Sequence, residues 1–266
     1  MAPLSADMQQ VLAQLRTPGF VLDPGCGQLR ADGAAAARLR EDPLRVLRVL
    51  RCAAVYPVQI EAELAAALHA QCGQLAQASA AGLRAELMRL LAGEHVLPVL
   101  LDYGDVLAVF IPEIQVALGF DQRSPWHRYD VWEHTARALA AAAVTDPLVR
   151  LAVLFHDLGK PACFSQDVGG QGHFYGHARL GAQLARRRLQ ALGFDPASVE
   201  AVAELVALHL DALPAAQAKR WLFRLGAEQL SRLLELKRAD IMAHSELGQT
   251  ARQAELEAFQ AALSIV

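Results

Sequence analysis

Almost every long segment of this sequence repeats its apolar residues with the period of an α-helix. Between residues 38 and 54, apolar side chains recur at Leu39, Val46, Leu47 and Leu50, a spacing that gathers them on one helical face. No segment alternates apolar and polar residues with a period of two for more than a few positions. Alanine and leucine, which are both strong helix formers, dominate the sequence. These features predict an all-α fold.

Glycine and proline residues mark where the predicted helices stop. The stretch at 17–33 is rich in both and is expected to form a loop, after a short amphipathic piece near residues 5–16. Pro112 marks another break. Three parts are predicted: an N-terminal region at 1–37, a helical neck-like region at 38–118 and a larger helical domain at 119–266. Helices in the last part are predicted near 130–143, 146–158, 176–192, 197–211, 215–225, 227–245 and 248–263.

Composition and charge exclude several classes of protein. The net charge is −3, so any phosphate-binding surface must be local rather than spread over the molecule. The four cysteines are scattered with no CxxC pair, which suits a reducing cytoplasm and gives neither a disulfide framework nor a zinc ribbon. The N-terminus lacks the features of a signal peptide, and no apolar run approaches the ~20 residues of a membrane span. We therefore expect a cytoplasmic protein with no membrane partner.

The most informative motif is VRLAVLFHDLGK at residues 149–160, where His156 and Asp157 are adjacent near the end of an apolar helix. Neighbours on a helix point about 100° apart, yet both can reach one ion beside it. An imidazole and a carboxylate together suit a divalent transition metal such as Mn, Fe, Co, Ni or Zn. Gly159 is expected to end the helix, which places Lys160 at the edge of a cavity.

One His-Asp pair cannot hold a metal tightly, so further ligands must come from other helices. Asp240 interrupts an amphipathic helix with a carboxylate, which is costly near a buried face unless it is paired or bound to a metal. Histidines occur at suitable intervals on separate predicted helices, as expected for a metal site in a helical core. The candidate ligands are His134, His156, Asp157, His177, His209 and Asp240.

Each of these features also has a plainer interpretation. A lone histidine is more often a core or surface residue than a ligand, and only the ordered set favours a metal site. Lys160 could simply cap a helix C-terminus, where the helix dipole favours a cation. The arginines between 38 and 51 could form a solvated face partly paired with Glu41 and Asp42. A second basic patch near Asp240, with or without contact to phosphate or RNA, could be formed by Lys219, Arg220, Arg224, Lys237 and Arg238.

The ordered series of histidines and aspartates resembles the HD phosphohydrolase superfamily. Within it, the sequence is most similar to the C-terminal part of bacterial tRNA nucleotidyltransferases, the CCA-adding enzymes with an HD domain. The resemblance covers about residues 41–245, and its motifs occur in the family's order. The matching stretches are EDPLRVLRVLRCAA (41–54), IPEI (111–114), WHRYDVWEHT (126–135), LAVLFHDLGKP (151–161) and HFYGHARLGA (173–182).

The resemblance implies that one or two divalent ions bind, drawn from Mn, Ni, Co, Fe and Mg. The implied metal ligands are His134, His156, Asp157 and Asp240. His177 and His209 fall where related enzymes bind a second metal or the scissile phosphate. The expected catalytic residues are then Asp157, Lys160, His177 and His209. These residues would assist a metal-activated water in its attack on a phosphate ester.

The activities that the resemblance implies are 2′,3′-cyclic phosphodiesterase, 2′-nucleotidase and phosphatase, with a nucleotide or an RNA end as substrate. The sequence departs from the family at its N-terminus. Only 40 residues precede Glu41 of the EDPLR motif, and the Gly-Ser turn and paired aspartates of the family's head domain are not found. We therefore expect these 266 residues not to add CMP or AMP to tRNA on their own. Two alternatives stay open: a tRNA-binding body subunit that complements a separate head protein, and a non-catalytic RNA-binding remnant.

Overall fold

The predicted all-α fold class is confirmed, because the described residues are mainly helical and include only small sets of strands. The computed structural model describes residues 19–23, 26–142 and 146–264. The chain forms two compact units, residues 1–112 and 113–266. The predicted amphipathic piece near residues 5–16 lies outside the described residues.

The first unit combines α-helices with three short strands in its described residues. Its elements are β1 (Phe20–Asp23), β2 (Gln28–Ala31), α1 (Ala35–Arg40), α2 (Arg45–Val55), β3 (Gln59–Ile60), α3 (Ala62–Gln71), α4 (Ala80–Leu91), α5 (Val96–Asp102) and α6 (Gly104–Ala108). Helix α2 packs on α4, and α1 packs on α3. These contacts bury leucines such as Leu50 and Leu87, so the predicted apolar faces do form the core.

The strands correct the predicted loop at 17–33. Strand β1 pairs antiparallel with β2, with Phe20 opposite Ala31, and β3 joins β2 in parallel. Leu22 and Leu29 are opposite each other in this register, and both are buried. A strand of four residues that buries only two of them is too short to show a period of two in the sequence. The loop prediction is therefore wrong for these two strands.

The arginines of α2 are paired with acidic side chains rather than simply solvated. Arg48 Nη1 lies 2.6 Å from Asp42 Oδ2, and Arg45 forms an ion pair with Glu41. Arg51 is buried, and its Nε donates to Glu86 Oε2 on α4 at 2.8 Å. The expected solvated face is therefore wrong for Arg51, whose ion pair joins two helices of the first unit.

The second unit is helical apart from one two-stranded ribbon. Its elements in the described residues are α7 (Val131–Ala141), α8 (Pro147–Phe155), β4 (Ser165–Gln166), β5 (Gly172–His173), α9 (His177–Ala191), α10 (Pro196–Leu208), α11 (Ala218–Met242) and α12 (Glu246–Leu263). Throughout the described chain, we find no helix with both the length and the apolar character that crossing a bilayer requires.

Helix α8 lies at the centre of this unit, because α7, α9, α10 and α11 all pack on it. Its residues from Val149 to Phe155 are buried without interruption, as a helix covered on all sides requires. Asp146 caps its start by accepting the Leu148 N–H, and Pro147 occupies the first helical position. The residues that follow α8 therefore emerge in the middle of the unit.

Two helices end sooner than the sequence predicts. Helix α8 ends at Phe155 rather than near 158, and α10 ends at Leu208 rather than near 211. In each case the next residue is a histidine, His156 or His209. The Nδ1 atom of each ring lies 2.7 Å from the carbonyl oxygen three residues back. Each ring thus satisfies a carbonyl that a helix end leaves without a partner.

The two helices predicted at 215–225 and 227–245 are present as the two segments of α11, which meet at a kink at Gly226. Helix α11 runs from Ala218 to Met242, with Gly226 in a non-helical conformation at φ 73° and ψ 164°. A positive φ favours glycine, which has no Cβ to clash. The segments before and after Gly226 are therefore not one straight helix.

Gly159 lies where the chain that leaves α8 meets α9. A Cβ at this position would lie 2.4 Å from the His177 carbonyl oxygen and 2.9 Å from the Gly181 nitrogen. Both are backbone atoms, so they cannot yield without a shift of α9. The close approach of two chain segments, rather than the end of a helix, requires glycine here.

We predict that Gly159→Ala destabilises the protein by about 1–3 kcal/mol, because the added methyl group must displace α9. Gly73→Ala is the matched control, since a Cβ at Gly73 meets nothing within 4 Å. Urea unfolding followed by circular dichroism measures both variants. Equal stability of the two would contradict the close contact.

Candidate metal centre

Six histidine and aspartate side chains meet in the interior of the second unit. They come from α7, the turn after α8, the start of α9, the residue after α10, and α11. All six are buried. They form two groups, in each of which the nitrogen and oxygen atoms lie within 4.8 Å of one another. The first group is His134, His156, Asp157 and Asp240, and the second is Asp157, His177 and His209.

The donor atoms of the first group have the spacing of ligands around one ion. His134 Nε2 lies 2.9 Å from Asp240 Oδ1 and 3.4 Å from His156 Nε2. Asp157 Oδ2 lies 3.4 Å from each of these ring nitrogens. Two ligands bound at about 2.1 Å to a tetrahedral ion lie about 3.4 Å apart. The first group is therefore of the right size to enclose a divalent ion.

The second group faces the other oxygen of the same carboxylate. Asp157 Oδ1 lies 3.3 Å from His177 Nε2 and 3.7 Å from His209 Nε2. Asp157 thus presents one oxygen to each group, and a carboxylate can bridge two ions in this way. The second group has room for a second ion or for an oxygen of a phosphate.

The histidines point Nε2 at the centre because their other ring nitrogen is held by the backbone. Nδ1 of His156, His177 and His209 lies 2.7 Å from the carbonyl oxygen three residues earlier in each case. His134 Nδ1 lies 3.2 Å from the Ala243 carbonyl oxygen. A carbonyl can only accept, so Nδ1 carries the proton and Nε2 keeps the lone pair that binds metals. Facing lone pairs repel unless a cation lies between them, so this donor set fits a divalent ion.

The two carboxylates keep their charge despite burial. Burial opposes the ionisation of Asp157, but the charges of His156 and Lys160 hold the pKa of this carboxyl well below its usual range. Burial also opposes the ionisation of Asp240, yet His244 and His134 hold its pKa well below the usual value. The centre therefore contains two buried negative charges that attract a cation.

Two of the histidines shift in opposite directions. Burial disfavours the charged form of His156, but Asp157 and Asp240 outweigh it and raise the pKa of the ring. Burial lowers the pKa of His209, and a hydrogen bond with Asp157 only partly opposes this shift. The carboxylates thus favour the charged form of His156, whereas burial favours the neutral form of His209.

Lys160 is an almost fully buried part of the centre. Its Nζ lies 2.7 Å from Asp157 Oδ2, 2.7 Å from Gln122 Oε1 and 3.4 Å from His127 Nε2. It does not cap α8, which ends five residues earlier at Phe155. Its ammonium group instead fixes the Asp157 carboxylate and balances part of its charge.

Three residues of the centre have no predicted role in the sequence analysis. The rings of His127 and His244 lie 4.5 Å apart, and each lies 5.1 Å from the ring of His134. His244 follows Asp240 by four residues, about one helical turn, so the spacing could have indicated that the two side chains lie close together. Burial lowers the pKa of His244 to about 4, and its Nε2 is buried without a hydrogen bond. Gln122 gave no signal, since a neutral amide in a loop is unremarkable.

The centre opens into a cavity of about 340 Å³ within the second unit. Asp157, Lys160 and His177 form part of its wall, and Arg252 of α12 lies at the same wall. Arg252 Nη1 lies 3.5 Å from Asp240 Oδ2. A partly exposed guanidinium therefore stands beside the metal-binding carboxylates.

The predicted basic patch does not form one surface beside the centre. Arg220 and Arg224 line a separate cleft. Lys237 is turned inward and donates to two backbone carbonyls, while Arg238 is paired with a neighbouring glutamate. The arginine at the cavity is Arg252, whereas Arg220 is not among the residues that line it.

Residues 127–244 match the HD domain family. This range contains every member of both groups of candidate ligands. Together with the helical fold and the buried histidine–aspartate centre, the match defines the class: the chain carries an HD domain.

More particularly, the chain is homologous to tRNA nucleotidyltransferases. It is 35% identical over 246 residues to the A-adding tRNA nucleotidyltransferase of Deinococcus radiodurans. This match covers 85% of this chain and 56% of the relative. It is 36% identical over 219 residues to the CC-adding tRNA nucleotidyltransferase of Thermus thermophilus. This match covers 77% of this chain and 50% of the relative. The chain therefore spans about half the length of these relatives.

A solved structure has the same fold. The CCA-adding enzyme of Bacillus stearothermophilus, in a crystal structure with CTP, superposes with a TM-score of 0.60. The match covers 96% of this chain and 60% of that chain. At 16% sequence identity the likeness concerns the fold alone.

We predict that Asp157→Asn abolishes stoichiometric binding of a divalent ion, because Asp157 supplies an oxygen to both groups and the change removes its charge. Asp102→Asn, which alters an exposed carboxylate in the first unit, serves as the control. Metal content after dialysis against Mn²⁺ or Co²⁺ is the measurement, with circular dichroism to verify folding. A full equivalent of ion in folded Asp157→Asn would contradict the assignment.

Proposed function

We propose that the protein is a metal-dependent phosphohydrolase that acts on phosphate esters of nucleotides or of RNA ends. The observation that carries this proposal is the set of ring nitrogens and carboxylates that converge beside a cavity. A divalent ion in such a set supplies an activated water and stabilises charge on a phosphoryl oxygen. The histidine nitrogens favour Mn, Fe, Co or Ni over Mg, which prefers sites made only of oxygen.

Asp157 is the residue best placed to orient the reacting groups. Its low pKa keeps it ionised, and its two oxygens face different groups of donors. An ionised carboxylate in this position can accept a hydrogen bond from a water and fix its direction of attack. Lys160 holds Oδ2 at 2.7 Å, so it acts as a positioning residue through Asp157.

His177 and His209 are proposed to serve the phosphate side of the site. Both have Nδ1 held by a carbonyl, and both present Nε2 toward Asp157 Oδ1. His177 Nε2 is buried without a hydrogen bond, so it has a free position for a ligand. In this position the rings can hold a second ion or, when protonated, donate to a phosphoryl oxygen.

The cations at the cavity limit the charge of the substrate. Among the described residues that line it, the side chains with a permanent positive charge are Lys160 and Arg252. Lys160 is already paired with Asp157. Arg150, the other cation of the HD motif, donates to two backbone carbonyls instead. A triphosphate calls for several cations, so a phosphate with one or two charges is favoured.

A 2′,3′-cyclic phosphate meets this requirement. It carries one charge, its ring is strained, and the bond that breaks can lie in line with an attacking water. One cationic side chain such as Arg252 then suffices to hold the phosphate. We therefore propose 2′,3′-cyclic phosphodiesterase and 2′-nucleotidase activities ahead of deoxynucleoside triphosphatase activity.

The substrate class is tested by measuring turnover of 2′,3′-cAMP, 2′-AMP, 5′-dAMP and dGTP with Mn²⁺, Co²⁺ or Ni²⁺. We expect hydrolysis of the first two compounds. Consumption of dGTP or 5′-dAMP alone would overturn the substrate class and leave the metal centre unaffected. Asp157→Asn reports any contaminating phosphatase, since its activity should be lost with every metal.

Arg252→Ala is predicted to lower kcat/KM for 2′,3′-cAMP by about ten- to a hundred-fold, the range of a lost hydrogen bond to a charged group. Metal content should not change, because a guanidinium group does not bind metal ions. Arg252 only lies next to the candidate ligand Asp240, with Nη1 3.5 Å from Oδ2. Arg220→Ala removes an arginine from a separate cleft and should leave kcat/KM unaltered. Equal loss in both variants would contradict a role for Arg252 in the cavity.

A second candidate function is tRNA binding as the body of a nucleotidyltransferase. The relatives favour it, since two tRNA nucleotidyltransferases share 35–36% identity with this chain over much of its length. Gel-shift titrations with tRNA that lacks its CCA end, against an RNA hairpin of equal length, test it. Equal affinity for the two RNAs would argue against this function, and it would not affect the hydrolysis assay.

A further inference from the structure

Tyr175 is a strongly exposed aromatic residue at the wall of the metal-centre cavity. Its side chain is 79% exposed, and it lies between β5 and α9, two residues before His177. The neighbouring Phe174 turns inward and packs on Phe164, with ring centroids 5.7 Å apart. Both rings line the cavity, but Phe174 also packs on Phe164 and anchors the loop, whereas most of the Tyr175 ring is exposed.

The exposed ring is held in place by a second ring. Tyr175 stacks on His173 with centroids 5.5 Å apart and planes only 7° from parallel. His173 Nε2 in turn lies 3.1 Å from Asp167 Oδ2, and Asp167 Oδ1 accepts the Gln171 N–H at 2.9 Å. The β4–β5 ribbon thus fixes His173, and His173 fixes Tyr175.

The position of the ring suits the base of a nucleotide whose phosphate is at the centre. The His173 ring lies nearly parallel to Tyr175, and most of the Tyr175 side chain stays exposed and open to a ligand. Residues two apart in the chain have Cα atoms at most about 7.6 Å apart, which keeps the ring close to His177. The cavity, at about 340 Å³, falls within the roughly 300–1,000 Å³ typical of small-molecule sites.

We propose that Tyr175, held by His173, is the stacking platform for the base of a nucleoside phosphate substrate. This inference rests on the proposed phosphohydrolase function and adds a basis for substrate choice. A fixed aromatic ring costs little entropy on binding, and every base offers a face to stack on. The platform therefore selects esters that carry a base over base-free phosphates, with little preference among bases.

Two other places in the cavity region could hold a base. Trp126 lines the same cavity at 41% exposure, but no stacking partner of its ring is found among the described residues. A smaller cavity of about 170 Å³ adjoins His209 and Arg252, and the described residues of its walls include no phenylalanine, tyrosine or tryptophan. The held ring of Tyr175 is the better platform, and variants of Trp126 and Tyr175 separate the two.

The kinetic test compares 2′,3′-cAMP with methyl riboside 2′,3′-cyclic phosphate, which has the same reacting group and no base. Tyr175→Ala should raise KM for 2′,3′-cAMP about ten-fold, leave kcat within about two-fold and leave the base-free ester unchanged. Tyr175→Phe should restore the wild-type KM, because stacking needs the ring and not the hydroxyl. Phe223→Ala, which removes a 94% exposed ring outside the cavity, is the matched control.

Binding without turnover keeps this inference separate from the proposed function. Calorimetric titration of the Mn²⁺-loaded wild type should show tighter binding of a non-hydrolysable phosphonate analogue of 2′-AMP than of the corresponding base-free ribose phosphonate, and Tyr175→Ala should lose the difference. Equal binding of the two ligands by the wild type would overturn the platform, whether or not hydrolysis occurs. The platform would also be overturned if Trp126→Ala lost the preference for the ligand with a base while Tyr175→Ala kept it. Base-selective binding without hydrolysis would support the platform and refute the phosphohydrolase function.

Discussion

The buried carboxylate of Asp157 is the constraint around which the second unit is organised. A charge that is 1% exposed is tolerated in a protein interior only when its neighbours compensate it. His156, Lys160, His177 and His209 provide this compensation, and they lie in the turn after α8, at the start of α9 and directly after α10. The end of α8, the start of α9 and the end of α10 therefore lie around one carboxylate. The tight contact at Gly159 follows from that arrangement.

The sequence predicted much of this arrangement because its signals are local. A histidine beside an aspartate, or a carboxylate such as Asp240 on an apolar face, is visible in one helical segment. The two short strands were missed because four residues cannot display a period, and the early end of α8 was missed because it depends on a side-chain bond from His156. Arg252 was missed because only the tertiary packing of α12 brings it to the cavity. The assignment of metal ligands, unlike the fold, stays a prediction.

Charge in this protein is distributed by pairing rather than by segregation. Several arginines whose partners the sequence alone does not identify are bonded to acidic side chains or backbone carbonyls, as Arg48, Arg51 and Arg150 illustrate. The weakly negative molecule can therefore bind an anion only where a metal centre and a few free donors supply positive charge. This local arrangement agrees with a small phosphate ligand. Extended contact with RNA would draw instead on surfaces such as the cleft at Arg220 and Arg224.

The histidines that follow α8 and α10 use their two ring nitrogens for unrelated tasks. Nδ1 completes the helix end, and Nε2 faces the centre. Asparagine can imitate the first nitrogen and glutamine the second, because their amide groups reach about as far as Nδ1 and Nε2. At His156 or His209, asparagine would therefore keep the bond that completes the helix end, and glutamine would keep the polar group that faces the centre. The fold and the chemistry of this centre could then be altered separately at a single position.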